Sequence, residues 1–595
     1  MTARGTLTTV QMALTTLSLG LVVTGTLFAD CYITLAAVLA LFVANLMYIC
    51  SDLRSRSLLL MLHLGIFLFW LTRPVLGLAI WHSNSWEGTW GSTFFALRVV
   101  YVTMIVLWAV DALMTSGEQF CAKARRHELW IPGCDSPCAE AASNQAASDD
   151  GRRLHRRRRL VAHPVLDDPT LRRAVQLVSL TLFLVSVVCA LAAGVQALKY
   201  MSGRTYTEYF LVDSSAYASS GLSSIGNLTP YALCAYLATL PRKKPSVAAL
   251  LLYIVTTVPY LMIGTRGSFV IAVLLLLFYY LLRHFTDGTE RWFGRFEILL
   301  LAVVIPAGIL AMGQIDYLRS SKGGETAGTL VQIADSLFKQ GVTFKTLEYG
   351  YEVNPQVQAL GFKFFSGGSL VYAVTQGFIG QQLLGLPLWP TYNSVGLALE
   401  GSYYSHTMSF FAHPGYLAGS GYGSAYVLEL YADFGWTGVV AGSALIAVAF
   451  RLFARGFGRS WFLNVVVLMA GRMAFHMPRG EFAEWASFLW STRFWMAIAL
   501  IIVCAYTLRA VAARGWLPAL PSLKHVDGAE RVSTCLLPAL SAGQKGEKRI
   551  ALKGREASSS RRAGMVPLVG PDRASSARDR DLNVPTITML NSQHR

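Results

Sequence analysis

Long apolar runs, each able to cross a bilayer, alternate along this chain with connections that are basic at every second occurrence. Lys and Arg fill Ser51–Ser57, Gln119–Arg173, Arg242–Lys244, Arg283–Arg295, Arg451–Arg459 and the tail after Arg509, whereas the intervening connections are nearly neutral or mixed. A helix needs about 20 apolar residues to cross the hydrocarbon core, and short connections rich in Lys and Arg stay on the cytoplasmic side. The pattern predicts an all-α polytopic membrane bundle with both termini cytoplasmic.

Composition agrees. Only 14% of the residues are charged and 54% are hydrophobic, against about 25% charged in a soluble domain. The net charge of +17 sits mainly in Arg152–Arg159 and Lys545–Arg580, where anionic lipid headgroups are the ordinary partner. No basic surface interleaved with aromatics lies on a foldable domain, which argues against nucleic acid. The long exported connections hold none of the nine cysteines, so no disulfide framework is implied. Cys134 and Cys138, with His127 nearby, fall short of the four ligands a structural zinc site needs. Neither a metal nor a cofactor is expected.

The expected spans are Thr9–Phe28, Tyr32–Cys50, Leu58–Ile80, Phe94–Met114, Ala174–Leu198, Pro230–Leu240, Val247–Gly264, Ser268–Leu282, Ile298–Met312, Ala425–Phe450, Trp461–Met477 and Phe488–Arg509, about twelve in all. The sequence before Cys31, Leu27-Phe28-Ala29-Asp30, lacks the small residue a lipoprotein cleavage site wants, so the first span reads as an uncleaved helix. Six regions follow. Residues 1–115 carry four spans, 116–173 form a disordered basic cytoplasmic insert, and 174–312 carry five more spans. Residues 313–424 form a large periplasmic loop, 425–509 the last three spans, and 510–595 a disordered basic cytoplasmic tail. The loop is nearly charge-balanced and rich in Phe, Tyr and Gly, which is not the composition of a linker.

Charges at the outer edge of a membrane are costly and tend to face a cavity, a partner or a substrate. By this topology they include Arg204, Arg266, Arg319, Arg472, Arg479, Glu429, Asp433, His406, His413, His476 and Glu481. Guanidinium forks bind phosphate oxygens bidentately and remain charged. Arg266 stands in Gly264-Thr265-Arg266-Gly267-Ser268, between two apolar runs, where the glycines permit a tight turn; snorkelling to headgroups explains such an arginine equally well. A glycine run, Gly419-Ser420-Gly421-Tyr422-Gly423-Ser424, opens an apolar helix with Glu429 and Asp433 at i and i+4. That spacing shares a helix face, suited to a general base or to pairing with arginines of the bundle. Arg472 and His476 have the same spacing, and Pro478 is expected to end their helix and present Arg479. Arg98 and Asp111 in the fourth span are intramembrane charges of the kind that mark a transport pathway.

Together, the Gly-Thr-Arg-Gly turn at 264–267, the long exported loop, Gly-x-Gly-x-Gly-Ser…Glu-Leu-Tyr-x-x-Phe-Gly-x-x-Gly at 419–438 and Pro-Arg-Gly at 478–480 resemble bacterial O-antigen or capsular repeat-unit polymerases of the Wzy type. The resemblance runs from about Arg204 to Leu508; the insert and the tail stand outside it. It implies an integral glycosyltransferase of the bacterial inner membrane that polymerises polyprenyl-diphosphate-linked oligosaccharide repeat units on the periplasmic side. A chain-length regulator protein is a candidate partner, alongside membrane lipids. Glu429, Asp433, His406 and His476 are then candidate catalytic residues, and Arg204, Arg266, Arg319, Arg472 and Arg479 candidates for holding diphosphate or glycan. An O-antigen ligase-like enzyme, sharing the donor, and a lipid-linked oligosaccharide transporter are the alternatives; no repeat between the halves supports the transporter.

Overall fold

Nine helices among the described residues are long and apolar enough to cross a membrane, and no strand occurs among those residues. The computed structural model describes residues 3–81, 88–128, 168–204, 219–287, 290–295, 329–377, 379–390 and 392–514, with 208, 209, 211, 297 and 299. All of these belong to one unit, Met1–Leu523. The expected span Ile298–Met312 (apart from Leu299), Arg319, the Cys134–Cys138 pair and the tail from 515 lie outside the described residues.

Helices α1 (Ala3–Leu27) and α2 (Cys31–Cys50) form a hairpin, with the Asp30 carboxylate accepting the Tyr32 and Ile33 N–H groups as N-cap. The third span is built from α3 (Leu53–Ile66), a π-turn at Phe67–Leu71 and α4 (Thr72–Trp81). Helix α5 (Trp90–Glu128) runs well past the apolar stretch into the basic segment. The fifth span, α6 (Pro169–Met201), starts five residues before the apolar run, because Asp168 caps it and Pro169 suits its first turn. The weak sixth span is two short helices, α7 (Ser220–Gly226) and α8 (Thr229–Leu237). Helices α9 (Lys243–Ile263) and α10 (Gly267–Thr286) form the expected hairpin.

The long connection contains α11 (Thr329–Gln340), α12 (Val342–Glu352), α13 (Asn354–Ala359), α14 (Gly368–Thr375), α15 (Val395–Leu399) and α16 (Tyr404–Ala412). Then come α17 (Tyr426–Gly456), α18 (Trp461–Ala474) and α19 (Thr492–Ala513). Helix α17 packs on α5 and α3, α18 on α8, α10 and α3, and α6 gathers α8, α9 and α19. The buried aromatics Trp70, Tyr236, Phe278 and Phe450 belong to one continuous core.

Helix α17 is broken. Gly435 adopts φ +63° and ψ −149°, a conformation that sterics bar to L side chains. The break turns 426–434 back on the following stretch, and a side chain at Gly438 would lie 2.3 Å from the Leu430 carbonyl oxygen. The spanning part is therefore 436–456, roughly 30 Å of helix.

A buried ionic cluster ties the far end of that stretch to its neighbours. Asp111 of α5 accepts from Arg56 Nε of α3 at 2.8 Å and from Arg451 Nη1 of α17 at 2.7 Å, with Asp111 and Arg451 fully buried. Tyr48 of α2 donates to the same carboxylate at 2.8 Å. Glu118 pairs with Arg451 at 3.0 Å and with Arg455. The two intramembrane charges of the fourth span therefore do different things: Asp111 is held by these arginines, and Arg98 lies over the rings of Phe94 and Trp436, 5.5 and 5.4 Å from their centroids. Removing one partner from a buried ion pair strands the other and costs about 3–5 kcal/mol. Asp111→Ala is thus expected to lower the melting temperature of the detergent-solubilised protein sharply. Glu118→Ala, at a half-exposed carboxylate, should cost less than about 1 kcal/mol.

Candidate functional site

The site is built where the chain leaves α18. That helix ends at Ala474, earlier than the expected Met477, and the chain continues into a 3-10 turn at Met477–Arg479. The turn is held from the third span. Trp70 Nε1 donates to the Pro478 carbonyl at 2.7 Å, and its indole stacks on Tyr426 at 5.7 Å. Phe69 meets Phe475 at 5.4 Å and His476 at 6.1 Å, and the Arg479 guanidinium lies 5.9 Å from its centroid. Both rings come from the π-turn, which rotates the helix face locally and commonly marks functional sites.

Glu429, fully buried in the first turn of α17, joins this turn to the glycine run. Ser424 Oγ donates to one carboxylate oxygen at 2.6 Å and the Phe482 N–H to the other at 2.7 Å. Two more carboxylates follow Arg479. His476 Nδ1 lies 3.0 Å from Glu484 Oε2, and a side chain at Gly480 would meet that same carboxylate and displace it. Burial, then the Glu484 charge, pushes Glu481 from its ordinary 4.5 up to about 8. The site thus combines a carboxylate-oriented imidazole, a carboxyl group able to hold a proton near neutrality, and an arginine. It has the parts for proton transfer beside an anion.

The remaining candidates are dispersed. Asp433 sits on the same helical segment as Glu429 but turns to the connection, accepting the Phe365 N–H at 2.9 Å and the Ser366 N–H and Oγ–H at 2.7 and 2.6 Å. His406 bonds Tyr416 through Nδ1 at 3.0 Å, and burial pushes its pKa down to about 4. Arg472 donates to the Tyr253 hydroxyl at 3.2 Å, away from His476, because the helix ends before it can carry both on one face. Arg204 donates to Tyr200 at 3.0 Å and faces Glu208 at 3.8 Å, half exposed. Arg266 is the N-cap of α10, after Gly264 has closed α9 at φ +108°. The ends of α6 and α9 beside Arg204 and Arg266 share an apolar cluster of Ala197, Met201 and Ile263. His413 accepts the Gly415 N–H at 3.0 Å.

The family model "O-antigen polysaccharide polymerase Wzy" matches residues 158–509, well over half of the chain. The chain belongs to the Wzy family of O-antigen polysaccharide polymerases. No curated protein and no solved structure matches it. As a Wzy polymerase it joins lipid-linked repeat units into O-antigen within a multi-pass membrane bundle.

Glu429, His476, Arg479, Glu481 and Glu484 all fall inside the Wzy match, whereas Phe69 and Trp70 lie outside it. Sequence reasoning named Glu481 only as a boundary charge and missed Glu484, although the pair is three residues apart directly after Pro-Arg-Gly. Nothing in an apolar run singles out Phe69 or Trp70.

Trp70→Phe keeps the stacked ring but removes the N–H, and net hydrogen bonds are worth about 1 kcal/mol. It should leave the membrane abundance of this Wzy protein nearly unchanged while shortening O-antigen ladders on a gel. A second expectation concerns pH. A folded-state pKa raised above the unfolded one favours folding while the group is protonated, so the Glu481 contribution is complete below about pH 4.5 and lost as pH rises through about 8. Glu481→Gln should flatten the fall in melting temperature across that window.

Proposed function

We propose that this Wzy-family chain is an integral membrane glycosyltransferase of the bacterial inner membrane, with both termini cytoplasmic and its site periplasmic. It moves a growing glycan from one polyprenyl diphosphate to a sugar hydroxyl of an incoming polyprenyl-diphosphate-linked repeat unit. The orientation rests on the basic connections: Arg56, Arg451 and Arg455 lie toward the end of α17 opposite Glu429. A chain-length regulator protein is its proposed partner on the bundle.

The observation that carries the reading is the His476–Glu484 pair beside Arg479, at a turn gripped by Glu429. In the proposed step the acceptor oxygen attacks the anomeric carbon of the donor sugar and the carbon–oxygen bond to the diphosphate breaks. The acceptor proton passes to His476, whose other nitrogen is oriented by Glu484. The bonding electrons leave with the diphosphate, whose charge Arg479 and Arg266 stabilise without a metal. Glu429 positions the turn, since both its oxygens already accept protein donors. Asp433 and His406, engaged in the connection, are assigned supporting roles. Arg472 supports the bundle through Tyr253, and Arg204 flanks the Arg266 turn.

Cells deleted for this chain, complemented with wild type or with Arg479→Ala, Arg266→Ala or His476→Gln at matched membrane abundance, test the proposal. Wild type is expected to restore a glycan ladder, and each variant to leave mainly single-repeat caps. Losing a charge-stabilising group costs about 10²–10³ in rate. Deletion that removes even single-repeat glycan would point to ligation or export and overturn the reading.

A further inference from the structure

Phe364 occupies left-handed backbone at φ +54°, which a bulky side chain adopts only when its surroundings hold it there. Asp433 supplies the hold, through its three bonds to Phe365 and Ser366. The rings displayed beside this clamp face outward: Phe362 is 69% exposed and Phe364 38%. They stack on each other at 6.2 Å, and Phe362 meets Phe434 of α17 at 5.9 Å.

Phe434 fixes the level of this cluster. It is the last residue before the break at Gly435, where the spanning stretch 436–456 begins. Leu445 and Leu452, seven residues apart on one stripe of that stretch, are exposed as lipid-facing residues are. The three rings therefore continue the bilayer-facing surface of α17 at the height where its spanning helix ends. Past α14 the connection exposes Leu383, Leu384 and Leu388, in a segment pinned by Gln376, whose side chain bonds the Pro387 carbonyl at 3.3 Å and the Trp389 N–H at 2.8 Å. The three rings form a concentration of exposed apolar side chains that marks an interaction surface, and the leucines expose a second apolar group on the same connection. Contiguity with the lipid-facing side of α17 names the occupant.

We propose that Phe362, Phe364 and Phe434, with Leu383, Leu384 and Leu388, seat this connection in the interfacial layer of the bilayer beside α17. Asp433 acts as the positioning residue of that seat. The connection then lies against the membrane as a monotopic element does, its apolar rings at headgroup depth. This inference does not rest on the proposed glycosyl transfer.

The test uses the full chain in vesicles of phosphatidylethanolamine and phosphatidylglycerol, with a genetically encoded fluorescent amino acid at position 384 so that the native cysteines stay. A nitroxide carried high on the acyl chain should quench this probe several-fold more than aqueous iodide does. Phe362→Ser combined with Phe364→Gly should reverse that ranking; glycine relaxes the left-handed strain, so folding is spared. Stronger iodide quenching in the unsubstituted chain would overturn the proposal. So would probe protection that appears in detergent and rises with protein concentration, since a second copy would then be covering the surface.

Discussion

The burial of one carboxylate organises the site. An ionisable group removed from water is tolerated only with its oxygens satisfied, and Glu429 obtains its donors from two distant parts of the chain, Ser424 and the Phe482 backbone. Satisfying that carboxylate brings the glycine run and the segment after α18 together. Trp70 then grips the Pro478 carbonyl from the third span, and His476, Arg479 and Glu484 take their places around the turn. Each contact is short-range, yet the partners come from three separated stretches of the chain.

The break at Gly435 gives α17 two tasks. The stretch after it crosses the bundle and ends in the buried Asp111–Arg451 pair, while the segment before it folds back to carry Glu429 and Asp433. The ionic cluster and the carboxylates that hold the turn and the connection are thereby kept apart on one helix. A pair as deeply buried as Asp111 and Arg451 contributes geometric definition more than net stability, because desolvation offsets much of its attraction. Its value lies in tying α2, α3, α5 and α17 together, and α3 is the helix that delivers Phe69 and Trp70. Support of the site thus extends into spans outside the family match.

Much of the fold is legible in the residues. Apolar length and the Gly264 turn announce helix limits, because spanning helices and caps follow from local chemistry, whereas the Asp168 cap starts α6 five residues before the apolar run that marked it. The site is legible only in part. Pro-Arg-Gly and the glycine run mark the right segments, but spacing misassigns several side chains. Arg472 and His476 share i, i+4 spacing without sharing a helix, since α18 has already ended. Asp433 shares a helical segment with Glu429 yet caps a turn in the connection. Asp111, read along the sequence only as an intramembrane charge, is held by Arg56 and Arg451, which reach it from neighbouring helices.

By itself the sequence determined that this is a helical, multi-pass membrane protein, since lipid leaves a spanning backbone no other way to satisfy its hydrogen bonds than a helix or a closed barrel. Its short motifs also identified the Wzy resemblance. Only the tertiary structure decided which charges meet. Ion pairs and hydrogen bonds act over a few ångströms, and the packing of α3, α17 and α18 sets those distances, which no spacing along a single segment can encode.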